Sequence, residues 1–128
     1  MTDLLDTNVI LRYLVGDIKI QQEQARQWFA QAQEGKRKIV IKPIVVAEAA
    51  FVLESYYKKR RDEITDSFSV LLSQRWLMVE ERDALLNMLP VYQSGKHFVD
   101  SFLTTSAKLT KAHVLTFDKK LRVSSEMD

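Results

Sequence analysis

Cysteine is absent from the 128 residues. That excludes disulfide scaffolds, thiolate zinc sites and cysteine nucleophiles together. Histidine occurs only at His97 and His113, too few and too badly spaced for a zinc site. A turn and a strand start are the expected places for them. Three glycines and two prolines leave little material for long irregular loops or a flexible linker. Apolar runs are short as well. The central charge-free stretch before Glu48 falls far below the roughly 20 residues a membrane span needs. No basic segment followed by an apolar signal core opens the chain, so a cytoplasmic domain without a membrane partner is expected.

An excess of one charge is also missing. Nineteen basic and seventeen acidic residues leave a net charge of +2, which permits nucleic acid as a partner without demanding it. The basic residues gather at Lys36-Arg37-Lys38 and Lys58-Lys59-Arg60-Arg61. These are either solvated helix ends and loops or contacts to nucleic-acid phosphates.

What is present is an ordinary globular composition, 46% hydrophobic and 28% charged. The length suits a single domain over residues 1–128 with one proper core. Short apolar runs alternate with helical periods. A first strand leads through Leu4-Leu5 to Asp6, and Val9, Ile10, Leu11, Tyr13 and Leu14 follow in a helix ending at Gly16. From about Ile18 to Glu34, Ala25, Trp28, Phe29 and Ala32 recur at helical spacing. Trp28 and Phe29 read as core, although such a face also serves a protein groove. Ile39-Val40-Ile41 is β-branched throughout and reads as a strand. Pro43 starts the next helix, which runs to about Tyr57. Ile64, Phe68, Leu71 and Leu72 mark a fourth helix. Trp76 to Val79 reads as a strand, then a helix kinked at Pro90, a helix from about Phe98 to Lys111, and a fourth strand from His113 to Phe117. Met78 and Met88 read as core fillers. Strands alternating with helices predict an α/β domain with a parallel sheet. Its ligands bind beyond the carboxyl ends of the strands.

Asp6 and Asp118 both sit at such strand ends, where each could equally cap a helix. Asp100 lies in a first helical turn, where the macrodipole favours a carboxylate. Glu48 differs, being the only polar side chain between Ile44 and Leu53. A helix apolar all round is expected to be buried, and a buried carboxylate must be neutral, paired or facing a cation. Carboxylates gathered in one cleft repel each other. A hard divalent cation, Mg²⁺ or Mn²⁺, relieves that conflict and commonly works on phosphate esters.

The segment Leu4-Leu5-Asp6-Thr7-Asn8-Val9-Ile10-Leu11 resembles the opening motif of PIN-domain ribonucleases. Glu48 in its apolar helix is similar to the family's second acid, Asp100 within Phe98 to Leu103 to its third, and Thr116-Phe117-Asp118 to its closing motif. The nearest sub-group pattern is that of VapC-type toxins of bacterial toxin–antitoxin pairs. The resemblance implies a three-layer α/β/α sandwich around a parallel sheet of four to five strands. It also implies a metal-dependent endoribonuclease, an antitoxin partner and a homodimer. Asp6, Glu48, Asp100 and Asp118 would be its metal-holding, catalytic acids, with Asn8 and Thr116 orienting them. The sequence departs from the pattern in three places. Asp3 lies inside the first strand, Leu109 to His113 lacks the glycine that relatives often carry, and the family's last edge strand is expected to be short or missing beyond Asp118.

Four rivals share features. A phosphoacceptor receiver domain needs an aspartate ending a middle strand, where this chain has Ile41-Lys42-Pro43. An aspartate-nucleophile phosphatase wants a second aspartate where Asn8 stands. A non-catalytic interaction module of the same fold, or a PIN nuclease outside a toxin–antitoxin pair, keeps the fold without the full assignment.

Overall fold

The computed structural model describes residues 2–121. The chain divides into two compact units, Met1–Arg82 and Asp83–Asp128.

The first unit holds β1 (Thr2–Leu4), α1 (Thr7–Val15), α2 (Lys19–Gln33), β2 (Lys38–Ile41), α3 (Pro43–Ser55), α4 (Arg61–Leu72) and β3 (Met78–Val79). Its sheet is parallel throughout, in the order β1-β2-β3. The β-branched β2 lies in the centre, with Ile39, Val40 and Ile41 all buried. Strands covered on both faces carry continuous apolar runs of this kind. Thr2, Asp3 and Leu4 pair with Lys38, Ile39 and Val40, and Asp3 forms a 2.7 Å ion pair with Arg37. β1 is an edge strand among the described residues.

Helix boundaries follow local chemistry. Gly16 ends α1 with φ 73°, a left-handed turn that glycine adopts without strain. Any Cβ there would also stand 2.5 Å from the Gln22 amide. Phe29 packs edge-on against Tyr13, with centroids 4.6 Å apart, and lies 6.0 Å from Trp76. Ile64, Phe68, Leu71 and Leu72 form the buried face of α4, as the spacing predicts. Arg82 then ties down the connection after α4. Its Nε donates to Leu72 O at 3.0 Å, and its Nη2 to Gln74 O at 3.0 Å and to Leu77 O. The α4 carboxyl end thus gains a cationic donor where helix carbonyls lack partners.

The second unit contains α6 (Phe98–Thr110) and all but the first residue of α5 (Arg82–Gln93). Leu85, Met88, Leu89 and Tyr92 form the buried face of α5, and the Tyr92 ring meets Phe98 edge-on at 5.5 Å. Pro90 sits inside α5 without ending it. Lys111 closes α6 with φ 56°, ψ 38°, a left-handed conformation that glycine adopts without strain.

Three expectations need correction. The described sheet has three strands, not four to five. The stretch from His113 to Phe117 forms no strand, and Leu115 and Phe117 stand fully exposed; β-forming side chains make a strand only where a partner edge receives them. Met78 is 49% exposed rather than core, because β3 is only two residues long. The expected last edge strand lies outside the described residues. Among the described residues, no helix is long and apolar enough to cross a membrane.

Candidate active site

Leu5 extends the first strand's pairing by one residue, its N–H donating to Val40 O at 3.0 Å. The chain then enters α1 with Asp6 as N-cap, in extended geometry (φ −84°, ψ 153°). Asp6 Oδ1 accepts from the Thr7 N–H at 2.9 Å. The capping role is therefore real, worth about 1 kcal/mol, but it occupies one oxygen only. The side chain is exposed, and no hydrogen bond reaches Oδ2 among the described residues.

Glu48 is positioned by the turn from β2 into α3. Pro43 at the first helical position holds Lys42 extended (φ −88°, ψ 145°). Five residues on, Glu48 is exposed, which corrects the expectation of a buried carboxylate. α3 buries Val46, Ala49, Ala50 and Leu53, whereas Ile44 is 75% and Phe51 58% exposed. A helix apolar on every side carries no signal of which side faces inward, so the step from apolar to buried fails here.

What ties Glu48 to Asp6 is Thr7. The Thr7 hydroxyl donates to Glu48 Oε2 at 3.5 Å, a contact at the long end for a hydrogen bond. Thr7 is buried and touches both acids, one through its backbone and one through its side chain. The sequence reading gave it no role. The available signal was a hydroxyl residue directly after an aspartate at a strand end.

Asn8 does not bond either carboxylate among the described residues; it lines a cavity between α1 and α2. In the second unit, Asp100 is the third residue of α6 and half-buried. The next residue, Ser101, is fully buried and donates to His97 O at 2.8 Å. Asp118 is exposed, and its Oδ1 accepts from the N–H groups of Lys120 at 2.9 Å and Leu121 at 3.3 Å. Its own N–H donates to Thr116 Oγ1 at 3.0 Å, so Thr116 fixes the Asp118 backbone.

The basic clusters are partly spent on acids. Lys36 pairs with Glu34 at 3.2 Å, Arg37 with Asp3, and Arg61 with Glu54 at 3.0 Å. Arg60 meets Asp62 at 3.0 Å, and this hydrogen bond holds the Asp62 carboxyl below its ordinary range. Lys38, Lys58 and Lys59 are exposed and make no ion pair among the described residues.

Asp6 and Glu48 offer only hard oxygen donors, with Asp6 Oδ2 uncommitted. That donor chemistry fits Mg²⁺ or Mn²⁺ and not a soft metal. Within neither unit do three or more histidine or acidic side chains gather closely enough to hold an ion, among the described residues. In unit one the fit thus rests on a pair of carboxylates.

The family model that matches the chain is the PIN domain, over residues 4–125, which runs through both units. A VapC ribonuclease of Aquifex aeolicus (strain VF5) is 25% identical over 121 residues, covering 93% of this chain and 89% of that protein. No solved structure matches significantly. The acid at the first strand end, its threonine neighbour and the glutamate of the third helix thus lie within a match spanning nearly the whole chain, which belongs to the PIN-domain family and is VapC-like within it.

Proposed function

We propose that this protein is a metal-dependent endoribonuclease of the cytoplasm, the toxin of a VapBC-type toxin–antitoxin pair. The observation that carries the reading is the Asp6–Thr7–Glu48 connection in a PIN-family chain. Asp6, Glu48, Asp100 and Asp118 would hold Mg²⁺ or Mn²⁺; the last two are assigned by their match to the family's pattern. When bound, the cation supplies a low-pKa water and neutralises charge on the phosphate.

The chain's own residues do the rest. Thr7 holds Glu48 against the start of α1. Asp6 keeps one oxygen on the helix cap and presents the other. Thr116 fixes the backbone that carries Asp118, and Asn8 stands beside Asp6 to meet the substrate. Lys38, Lys58 and Lys59 supply the uncommitted positive charge for RNA phosphates; Lys36, Arg37, Arg60 and Arg61 reach RNA only by leaving their acidic partners.

The match to the PIN family over residues 4–125 supports reading residues 1–128 as a single PIN domain. A homodimer is supported by the exposed Ile44, Phe51 and Tyr56 of the α3 region, and an antitoxin covers the acids.

Purified protein incubated with transfer and ribosomal RNA tests the reading. Cleavage is expected with Mg²⁺ or Mn²⁺ and not with EDTA, and it is lost in Asp6→Asn. A folded, antitoxin-free protein that cuts no RNA with either metal overturns it in favour of a non-catalytic module. Light scattering of the same sample reads the dimer.

A further inference from the structure

A cavity of about 270 Å³ opens beside the start of α1. Asn8, Val9 and Arg12 line it from α1, and Gln21, Gln24 and Trp28 from α2. We propose that it takes one unstacked nucleobase of the RNA, laid against Trp28 and read by the amides of Asn8 and Gln24. The inference rests on the ribonuclease reading and gives that site a specificity-determining residue.

Trp28 is half-buried, unlike its neighbour Phe29, which is core. Among the described residues its indole N–H donates to no protein group, and the Asn8 and Gln24 amides bond nothing. The cavity therefore combines an aromatic surface with uncommitted donors and acceptors. That is the chemistry by which proteins hold splayed-out RNA bases.

Arg12 argues against a phosphate as the occupant. Its Nε donates to Gln21 at 2.8 Å, its Nη1 to the Tyr57 hydroxyl at 2.8 Å, and Asp17 lies 3.5 Å away. The guanidinium is fixed and its charge balanced, so the wall is rigid and close to neutral. The volume falls just below the roughly 300–1,000 Å³ of drug-sized ligand pockets, which suits one flat ring system rather than a whole nucleotide. Asn8 lies two residues beyond Asp6, so a base held here neighbours the phosphate presented to the acids.

Trp28 and Trp76 are the only tryptophans, so Trp76→Phe leaves Trp28 as the sole indole. This protein, kept in EDTA to prevent cleavage, is titrated with short single-stranded oligoadenylate, oligoguanylate, oligocytidylate and oligouridylate. An abasic ribose-phosphate oligomer of equal length is run beside them. The base-bearing oligomers are expected to quench Trp28 and the abasic one is not. With metal, Trp28→Leu raises KM about 5- to 150-fold with little change in kcat, the range of stacking losses. Trp28→Phe keeps most of the affinity and stands in should the leucine variant misfold. Equal quenching by the abasic oligomer, or an unchanged KM in Trp28→Leu, overturns the proposal. So does shielding of Trp28 by a polypeptide partner with no response to RNA. If the protein cuts RNA while Trp28 is silent to bases, only the base pocket fails. If it neither binds nor cuts RNA, the ribonuclease reading fails with it.

Discussion

Thr7 donates its hydroxyl to Glu48 across 41 residues of chain, while its backbone N–H is capped by Asp6. One buried residue therefore sets the separation of two exposed acids. Thr7→Val keeps the shape and removes the hydroxyl. Cleavage is expected to fall about 10-fold, as for groups that orient ligands, with stability changed by less than about 1 kcal/mol. Thr7→Ser restores most of the rate. RNA cleavage rates and urea melts of the three proteins check this.

Asp6 has two separable duties. Asparagine caps helices about as well as aspartate, so Asp6→Asn should melt with the wild type yet lose about 100-fold or more of the metal-dependent cleavage. Asp6→Ala should lose the same activity and about 1 kcal/mol of stability besides. Thermal melts beside cleavage assays distinguish the two.

Arg82 serves three carbonyls at the end of α4 and beyond. Arg82→Ala leaves these acceptors without a charged donor and should cost about 2–3 kcal/mol. Arg82→Lys recovers less than half, because an ammonium cannot reproduce the fork. Urea unfolding midpoints provide the measure.

Lys111 holds a left-handed conformation at the end of α6. Lys111→Gly removes the Cβ crowding and should stabilise the fold by about 1 kcal/mol, read as a higher melting temperature.

Burial, together with the hydrogen bond to Asp17, raises the Tyr57 pKa above its ordinary value of 10.0, and Arg12 opposes this. A raised folded-state pKa means stability that is fully present below about pH 10 and lost as pH rises through the folded value. Wild type should therefore weaken more steeply above pH 10 than Tyr57→Phe. Unfolding midpoints across that range test the slope, and absorbance at alkaline pH shows Tyr57 ionising late.

Much of this was legible from single residues. β-branched Ile39 to Ile41 announced the central strand, Pro43 the start of α3, and Gly16 the end of α1. Each acts through its own covalent chemistry, so neighbours far along the chain do not matter. Glu48 defeated the burial argument because α3 is apolar on all sides and its orientation is set by what packs on it. The stretch from His113 to Phe117 has strand-forming side chains, but a strand also needs a receptive edge. Thr7 went unnoticed because its role exists only once α3 arrives beside it.

Asp3 gives the first strand a further property. An edge strand is a template on which another chain can add, above all while the protein is still concentrated and newly made. Among the described residues β1 is such an edge, and Asp3 sits in its middle, held by Arg37. A strand arriving from a second molecule would have to strip water from this ion pair, at a cost of several kcal/mol. The departure from an all-apolar first strand thus works as a gatekeeper, trading some cohesion within the sheet for resistance to aggregation between sheets.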